Sequence, residues 1–326
     1  MRGPLAVLRL LITVSALAAT VATGPAGPAS AARTPPTPFA VGVRTTTFVD
    51  STRPTPAVAA LGLAGEDRRV ITATAWYPAR GPVTADPVPD ARAAARRFPL
   101  VLWAHGNSAR GAVPPPVVQQ WAAAGYVVVA PDFPVSSRAR STLDAIDDWA
   151  AQPGDVRFVL DQVMRPDAFG GLGRSIDRRH VGLAGHSLGA MTVLATAYGP
   201  APDPRVDAVI SLSGIPLLPG TDVTSRTTPL LLIHSDNDGT VPYAQSTTMF
   251  AAAVGPHWLI TVNGGGHSPF LYAPDPDTAA TLDAATLAFW DASLGGNHAA
   301  AEGIAGLAVP GRFAVAAEGA TPAATP

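Results

Sequence analysis

The chain carries its most informative stretch at residues 180–197, HVGLAGHSLGAMTVLATA. Residues 180–184 predict a short buried strand, and residues 190–197 predict a helix. Between them lies Gly185-His186-Ser187-Leu188-Gly189, the G-x-S-x-G pattern of a serine held on a tight strand-to-helix turn. The glycines are expected because side chains two positions either side of the serine would collide with the turn. We therefore predict that Ser187 is a nucleophile and not an ordinary turn serine.

Strand and helix patterns alternate on both sides of this stretch. Apolar runs predict strands at 41–49, 69–77, 99–104, 126–130, 180–184, 206–212, 229–234 and 258–262. Helical patterns lie at 117–124, 155–164, 190–197, 242–253 and 278–294. This alternation predicts the α/β class, with a doubly wound, mostly parallel sheet of about eight strands that is covered by helices on both faces.

The first residues have the features of a signal peptide. Within residues 1–31, Arg2 supplies the positive start, Leu5 to Ala19 are mostly apolar, and Ala29-Ser30-Ala31 fits a cleavage site. The alternative is an uncleaved membrane anchor, and the prolines and small residues before the cleavage site favour removal. We predict a secreted, extracellular protein that meets a membrane only through its signal peptide.

The remaining boundaries follow from composition. Residues 32–38 are rich in Pro, Thr and Ala and indicate a linker. Residues 39–317 are predicted to form one folded domain, and residues 318–326, again rich in Ala, Thr and Pro, a disordered tail.

Composition excludes several classes of function. The net charge of −2 gives no basic surface for nucleic acid, and the absence of cysteine excludes thiol catalysis and thiolate metal sites. There is no phosphate-cradling loop, no clustered set of metal ligands and no flavin or nicotinamide fingerprint. We predict no cofactor, no required metal and no nucleic-acid partner, and we leave the oligomeric state open.

A nucleophilic serine needs a base to remove its proton and an acid to orient that base. In the fold that carries this serine turn, the order along the chain is serine, acid, histidine. The strand at 229–234 runs into Ser235-Asp236-Asn237-Asp238-Gly239, and an aspartate just past the carboxyl end of a strand points into the crevice at that edge. We predict that Asp238 is the acid and that Asp236, the alternative, caps the turn.

The base is expected to follow the acid. His267 comes after the strand at 258–262 and after three consecutive glycines, which make a loop able to carry it over the sheet edge. The other histidines precede the acid, begin or end a strand, or lie at turns or the surface: His105, His180, His186, His234, His257 and His298. We therefore predict that His267 is the base.

Backbone N–H groups are expected to stabilise the oxyanion of a tetrahedral intermediate. One donor should be the N–H of Leu188, directly after the nucleophile. The other should come from the loop after the strand at 99–104, where Asn107 is the best candidate, although the dipeptide before it could also form a plain turn.

Several further stretches carry a resemblance to a known family. They are Val41-Gly42-Val43-Arg44-Thr45, Asp50-Ser51-Thr52-Arg53-Pro54-Thr55-Pro56, Ala75-Trp76-Tyr77-Pro78, Trp121-Ala122-Ala123-Ala124-Gly125-Tyr126, Ala130-Pro131-Asp132-Phe133-Pro134 and Gln152-Pro153-Gly154-Asp155-Val156. With them, residues 39–294 resemble the secreted bacterial α/β-hydrolases of the dienelactone-hydrolase-like group. These are related to platelet-activating-factor acetylhydrolase and to the bacterial polyester hydrolases.

The resemblance implies an α/β-hydrolase fold and cofactor-free hydrolysis of an ester. It places nucleophile, acid and base at Ser187, Asp238 and His267, and oxyanion donors at Asn107 and Leu188. Polyester hydrolases usually carry an aromatic residue in place of Asn107 and many have a cysteine pair, so the resemblance to a dedicated polyester hydrolase is weaker.

Residues 213–228 lie where many hydrolases of this fold insert a helical cap. Sixteen residues are too few to build one, so we predict no cap domain and an open cleft. The function we expect is carboxylic ester hydrolysis through an acyl-enzyme. The alternatives are an acyltransferase or peptidase that uses the same triad, and a catalytically silent binding module of this fold.

Overall fold

A computed structural model describes residues 37–139, 141 and 143–319. The predicted signal peptide, most of the predicted linker and residues 320–326 of the predicted tail lie outside the described residues. Described residues from Thr37 onward belong to one compact unit.

Ten strands form a single sheet. They are β1 (Ala40–Asp50), β2 (Arg69–Ala79), β3 (Val88–Pro89), β4 (Phe98–Ala104), β5 (Val127–Pro131), β6 (Ile176–His186), β7 (Val206–Leu212), β8 (Leu230–Ser235), β9 (His257–Val262) and β10 (Phe313–Glu318). Their order across the sheet is β10-β9-β8-β7-β6-β4-β5-β2-β1-β3. Six neighbouring strands, β9-β8-β7-β6-β4-β5, are all parallel to one another. Strand β10 pairs antiparallel with β9 at one end of this group, and β2 pairs antiparallel with β5 at the other.

Helices lie in most of the connections between strands. They are α1 (Pro116–Ala124), α2 (Gln152–Val163), α3 (Ala168–Gly171), α4 (Leu188–Tyr198), α5 (Ala244–Ala252), α6 (Pro269–Tyr272), α7 (Pro276–Ser293) and α8 (Glu302–Ala305). Short 3-10 segments occur at Ala59–Leu61, Leu143–Ala151, Leu172–Ser175 and His298–Ala301.

The core has two layers because successive side chains of a strand point to opposite faces of the sheet. Leu100 and Leu102 of β4 pack into the layer that contains helices α2 and α4. Val101 and Trp103 pack into the layer with helices α1 and α7. All four side chains are fully buried. The predicted α/β class, with a mostly parallel sheet covered on both faces, is confirmed.

The sequence predicted eight strands, and the structure adds β3 and β10. Strand β3 has only two residues, both exposed, inside a stretch that proline and alanine mark as a loop. Strand β10 is an edge strand in which only Phe313 is buried, so it lacks an alternating apolar pattern. Strand β10 ends at Glu318, the first residue of the predicted tail.

No helix or strand forms in residues 213–229, between β7 and β8. The predicted absence of a cap at this position agrees with the described chain. The carboxyl ends of β6, β7 and β8 are therefore not covered by an inserted domain from this connection.

A buried ion cluster joins β2 to the segments that precede and begin α2. Arg69 bonds Asp155 through Nε at 2.7 Å and Nη2 at 2.5 Å, and Asp148 through Nη1 at 2.7 Å. None of these three side chains is more than 1% exposed. Asp155 also pairs with Arg53 at 2.9 Å, but Arg69 is the buried cation that both carboxylates share, and a buried charge that loses its partner is costly.

We expect Arg69→Leu to lower the free energy of unfolding by about 3–5 kcal/mol, since it leaves two buried carboxylates without this cation. The measurement is chemical denaturation followed by circular dichroism. Arg68→Leu is the matched control, because Arg68 is 62% exposed beside Glu66. It should change the free energy by less than about 1 kcal/mol. Equal losses in the two variants would show that the cluster has no special role in stability.

Candidate active site

Ser187 lies at the turn from β6 into α4 with an unfavourable backbone conformation. Its φ is 55° and its ψ is −119°, a region that non-glycine residues seldom occupy. Its N–H donates to the carbonyl of Leu212 on β7 at 3.0 Å. The turn holds the serine at the carboxyl edge of the sheet, as the G-x-S-x-G pattern predicts.

The two glycines of the pattern permit this turn by close packing. A Cβ at Gly189 would lie 2.0 Å from the carbonyl oxygen of Ala104. A Cβ at Gly185 would lie 2.4 Å from the backbone of Gly189. Both distances are far below a van der Waals contact, so neither position has room for a side chain.

The three side chains predicted to act together lie on one line of hydrogen bonds. The Oγ of Ser187 is 2.9 Å from Nε2 of His267. Nδ1 of His267 is 2.6 Å from Oδ2 of Asp238. The side chain of Asp238 is fully buried and that of His267 is 17% exposed. The structure thus brings together a hydroxyl, an imidazole and a carboxylate in the arrangement of a nucleophile, base and acid.

Asp238 is held as a carboxylate although it is buried. Its Oδ1 accepts hydrogen bonds from the N–H groups of Thr240 at 2.8 Å and Val241 at 2.9 Å. Burial alone would raise the pKa of Asp238, but the bonds from His267 and from these two N–H groups outweigh it and place the pKa below its ordinary value. The group is therefore charged at neutral pH.

Asp236 and Asn237 have a different role from Asp238. Oδ1 of Asp236 accepts from the N–H of Gly264 at 2.8 Å, and Oδ1 of Asn237 accepts from the N–H of Gly266 at 2.7 Å. The loop after β8 thus holds the glycine loop that carries His267. Asp236 binds the neighbouring loop rather than only capping its own turn.

His186 contacts the base from the serine turn. Its ring lies 4.9 Å from that of His267, and its Nε2 is 2.9 Å from the carbonyl oxygen of His267. Because a carbonyl only accepts, Nε2 carries the proton and donates. Burial lowers the pKa of His186 from 6.5 to about 4, against the raising effect of this hydrogen bond. His186 is therefore a neutral donor that holds the backbone of the base.

The loop of Asn107 adjoins the serine turn. A Cβ at Gly106 would lie 3.4 Å from Cβ of Ser187. The side chain of Asn107 donates to the carbonyl of Ser141 at 3.1 Å and to Ser108 Oγ at 3.2 Å. Within the described chain, the backbone N–H groups of Asn107 and Leu188 have no acceptor.

His105 fixes the peptide that carries the N–H of Asn107. Its Nδ1 is 2.7 Å from the carbonyl of Gly106, and its Nε2 accepts from the N–H of Phe133 at 3.1 Å. The C=O and N–H of a trans peptide point in opposite directions. Holding the carbonyl of Gly106 therefore fixes the direction of the N–H of Asn107.

A small apolar cluster flanks the nucleophile. Leu188 and Met191 of α4 pack with Val135, Ala139 and Trp149. The partly buried side chains that pack against them are Val58, Leu61, Leu63, Ile215 and Leu218. This cluster supplies an apolar wall beside the residue that follows Ser187.

The side chains of Ser187, Asp238 and His267 were predicted from the sequence, but the residues that hold them in place were not. His105 and His186 precede the acid along the chain and His234 ends a strand, so none of them was predicted as the base, yet each makes a hydrogen bond to a part of the site. The position of His234, four residues before Asp238 at a strand end, was a signal that could have been used. Asp132, directly after β5, accepts from the N–H of Gly111 at 2.6 Å and so holds the backbone of the loop between β4 and α1.

Two further features concern ligands and membranes. Among residues 37–139, 141 and 143–319, no group of three or more His, Cys, Asp or Glu side chains is placed to hold a metal ion. In the same part of the chain, no helix has the length and apolar character needed to cross a membrane.

Comparison with known proteins finds one family model and many solved structures that are similar to this chain. The sequence model of the chlorophyllase family matches residues 88–244, which include Asn107, Ser187 and Asp238. A ferulic acid esterase from Streptomyces cinnamoneus is 23% identical, with a TM-score of 0.64 over 81% of this chain and 93% of that one. No curated protein matches the chain.

The structural match confirms the predicted α/β-hydrolase fold. At 23% identity it shows the fold alone, and the link to esterases comes from the match to the chlorophyllase family model. Together they support the predicted resemblance to the α/β-hydrolase esterase group and the predicted class of carboxylic ester hydrolase.

Proposed function

We propose that this α/β hydrolase is a serine carboxylic ester hydrolase that acts through Ser187, His267 and Asp238. The observation that carries the proposal is the line of hydrogen bonds from Ser187 Oγ through His267 to Asp238, at 2.9 and 2.6 Å. A serine hydroxyl is a weak nucleophile until a base removes its proton, and this geometry supplies the base.

In the first half of the reaction, Ser187 Oγ attacks the ester carbonyl and Nε2 of His267 takes the hydroxyl proton. The carbonyl oxygen becomes an oxyanion, which the N–H groups of Asn107 and Leu188 stabilise. Asp238 accepts from Nδ1 of His267, so the tautomer with its lone pair on Nε2 faces the serine. His267 then returns the proton to the leaving alcohol, and an acyl-enzyme remains.

In the second half, water replaces the serine. His267 takes a proton from water as the water attacks the acyl carbonyl, and it returns the proton to Ser187 Oγ as the acid leaves. The three side chains account for every proton transfer in both halves.

EDTA is therefore expected to leave the rate unchanged, and a loss that a divalent ion restores would contradict this mechanism.

The enzyme class is tested by hydrolysis of a panel of p-nitrophenyl esters, with methyl ferulate added because the structural match is a ferulic acid esterase. Hydrolysis that an active-site serine reagent abolishes supports the proposal. Transfer of the acyl group to an added alcohol in preference to water would favour an acyltransferase. If neither reaction occurs and the serine reagent does not label the protein, a silent binding module is favoured.

We also propose that the enzyme acts outside the cell, on the basis of the signal-peptide features of residues 1–31. N-terminal sequencing of the exported protein, with cleavage after residue 31 expected, tests this. An N-terminus that still contains the apolar run would contradict it.

The rate is expected to fall as the solution becomes acidic, because the imidazole of His267 can accept the proton of Ser187 only when its Nε2 carries none. The measurement is kcat/KM for p-nitrophenyl acetate as a function of pH. The free energy of unfolding should also depend on pH, through His186 and over a lower pH range than the rate. His186 has a lowered pKa, so its contribution is present above pH 6.5 and is lost as the pH falls toward about 4. A rate that is flat between pH 5 and 8 would exclude a histidine base.

We expect short and medium acyl chains to be preferred. The connection at 213–229 builds no cap, and the apolar wall is a small cluster. Each buried methylene adds only about 0.8 kcal/mol, so a short wall gains little from a long chain. The measurement is kcat/KM across p-nitrophenyl esters of rising length. A sharp rise in rate as a long-chain ester passes its micellar concentration would contradict an uncapped site.

A further inference from the structure

A second imidazole contacts the carboxylate of Asp238. His234, the penultimate residue of β8, has a fully buried side chain. Its Nε2 is 3.1 Å from Oδ2 of Asp238 and 3.1 Å from the carbonyl oxygen of Val241. Its Nδ1 is 2.7 Å from Oγ of Ser246. The mechanism described above does not use this residue.

The partners determine the tautomer of His234. The carbonyl of Val241 can only accept, so the proton is on Nε2, which donates to that carbonyl and to Oδ2 of Asp238. Nδ1 then accepts from the hydroxyl of Ser246. Burial lowers the pKa of His234 despite the opposing effect of Asp238, so the ring is neutral.

Each carboxylate oxygen of Asp238 thereby receives two donors. Oδ1 accepts from the N–H groups of Thr240 and Val241, and Oδ2 accepts from His267 and His234. A carboxylate with one donor fewer on Oδ2 can rotate about its Cβ–Cγ bond more easily. Rotation would move the oxygen that orients His267.

Packing fixes the ring of His234 as well. Ser246 is fully buried on α5, and the ring of Tyr243 lies edge-on to the imidazole with centroids 5.8 Å apart. The imidazole therefore connects Asp238 to the helix that follows the acid loop. Because the ring of His234 is bonded to Ser246 on one side and to Asp238 on the other, it can hold the carboxylate of Asp238 in one orientation.

We propose that His234 is a positioning residue for ester hydrolysis, which fixes Oδ2 of Asp238 so that this oxygen holds His267 toward Ser187. The inference rests on the proposed function. It adds a fourth side chain that acts through the acid without touching the substrate.

The test uses two substitutions that distinguish the hydrogen bond of Nε2 to Asp238 from that of Nδ1 to Ser246. His234→Gln can place an amide N–H near the position of Nε2 and keep a donor to Asp238. His234→Asn can place a polar group near the position of Nδ1, beside Ser246, but does not reach Asp238. His257→Gln and His257→Asn are the controls, because His257 is a buried histidine on β9 whose Nδ1 bonds the carbonyl of Gly255.

Two readouts are measured for each folded variant: kcat and KM for p-nitrophenyl acetate, and the rate at which a fluorophosphonate labels Ser187. A misplaced catalytic group costs on the order of a hundredfold, so His234→Asn should lower kcat and the labelling rate by about that factor. KM should change by less than about threefold, since the loss is in the chemical step. His234→Gln should recover most of both rates.

A His234→Asn variant that is labelled as fast as the wild type would overturn the positioning role and leave the proposed function intact. Equal losses in the Gln and Asn variants would overturn it as well, since only one of them keeps the donor. Labelling with the expected order of rates, but without hydrolysis of any ester, would support positioning and contradict the enzyme class. A wild type that is not labelled at all would overturn both.

Discussion

Ser187→Ala is expected to lower kcat for p-nitrophenyl acetate by on the order of a million-fold, because loss of the serine from a comparable triad has that effect. The substitution removes one oxygen whose partner is Nε2 of His267, and the backbone of the turn is unchanged. The melting temperature should therefore stay close to that of the wild type. The measurement is steady-state hydrolysis beside a thermal denaturation curve.

Ser211→Ala is the matched control for this result. Ser211 is a fully buried serine of β7, and in the described chain its Oγ has no hydrogen-bond partner. The same atom is removed from the neighbouring strand, so activity should persist. Activity above a few per cent in Ser187→Ala, with contamination excluded, would mean that another residue is the nucleophile.

Asp238→Asn is expected to lower kcat by about ten-thousand-fold. The amide that replaces the carboxylate can donate to Nδ1 of His267, which favours the tautomer with its proton on Nε2. That tautomer cannot accept the proton of Ser187. The measurement is kcat for p-nitrophenyl acetate at the pH where the wild-type rate is highest.

Asp236→Asn should have a far smaller effect and provides the control two residues away. Asp236 accepts a hydrogen bond from the N–H of Gly264 through Oδ1, and an asparagine keeps an acceptor oxygen at that position. Both variants lose one negative charge, but Asp238 contacts Nδ1 of His267 whereas Asp236 contacts the backbone N–H of Gly264. If Asp236→Asn were the inactive variant, the assignment of the acid would be wrong.

The sequence predicted the elements whose patterns are strong. Strand β6 and helix α4 are marked by a continuous apolar run and by glycines that the turn requires, and Asp238 and His267 follow strands in the expected order. The side chains of this line could therefore be predicted from their order along the chain and from the strands that they follow. Elements without such a pattern were missed, such as β10, which is exposed along most of its length.

The residues that hold the site were harder to infer because their roles depend on contacts between distant parts of the chain. His186 bonds the carbonyl of His267, which is 81 residues away, and Asp236 bonds Gly264, 28 residues away. No motif in the sequence around His186 or Asp236 indicates these distant partners. The buried bonds of Arg69 to Asp148 and Asp155 are of the same kind.

The central claim is that Ser187 is the nucleophile of an ester hydrolase. Its most direct test is to incubate the protein with a fluorophosphonate, follow the loss of ester hydrolysis, and map the modified residue by peptide mass spectrometry. One adduct is expected, on the peptide that contains Ser187, with hydrolysis lost in proportion to labelling. An adduct on a different residue, or hydrolysis that persists after complete labelling, would contradict it.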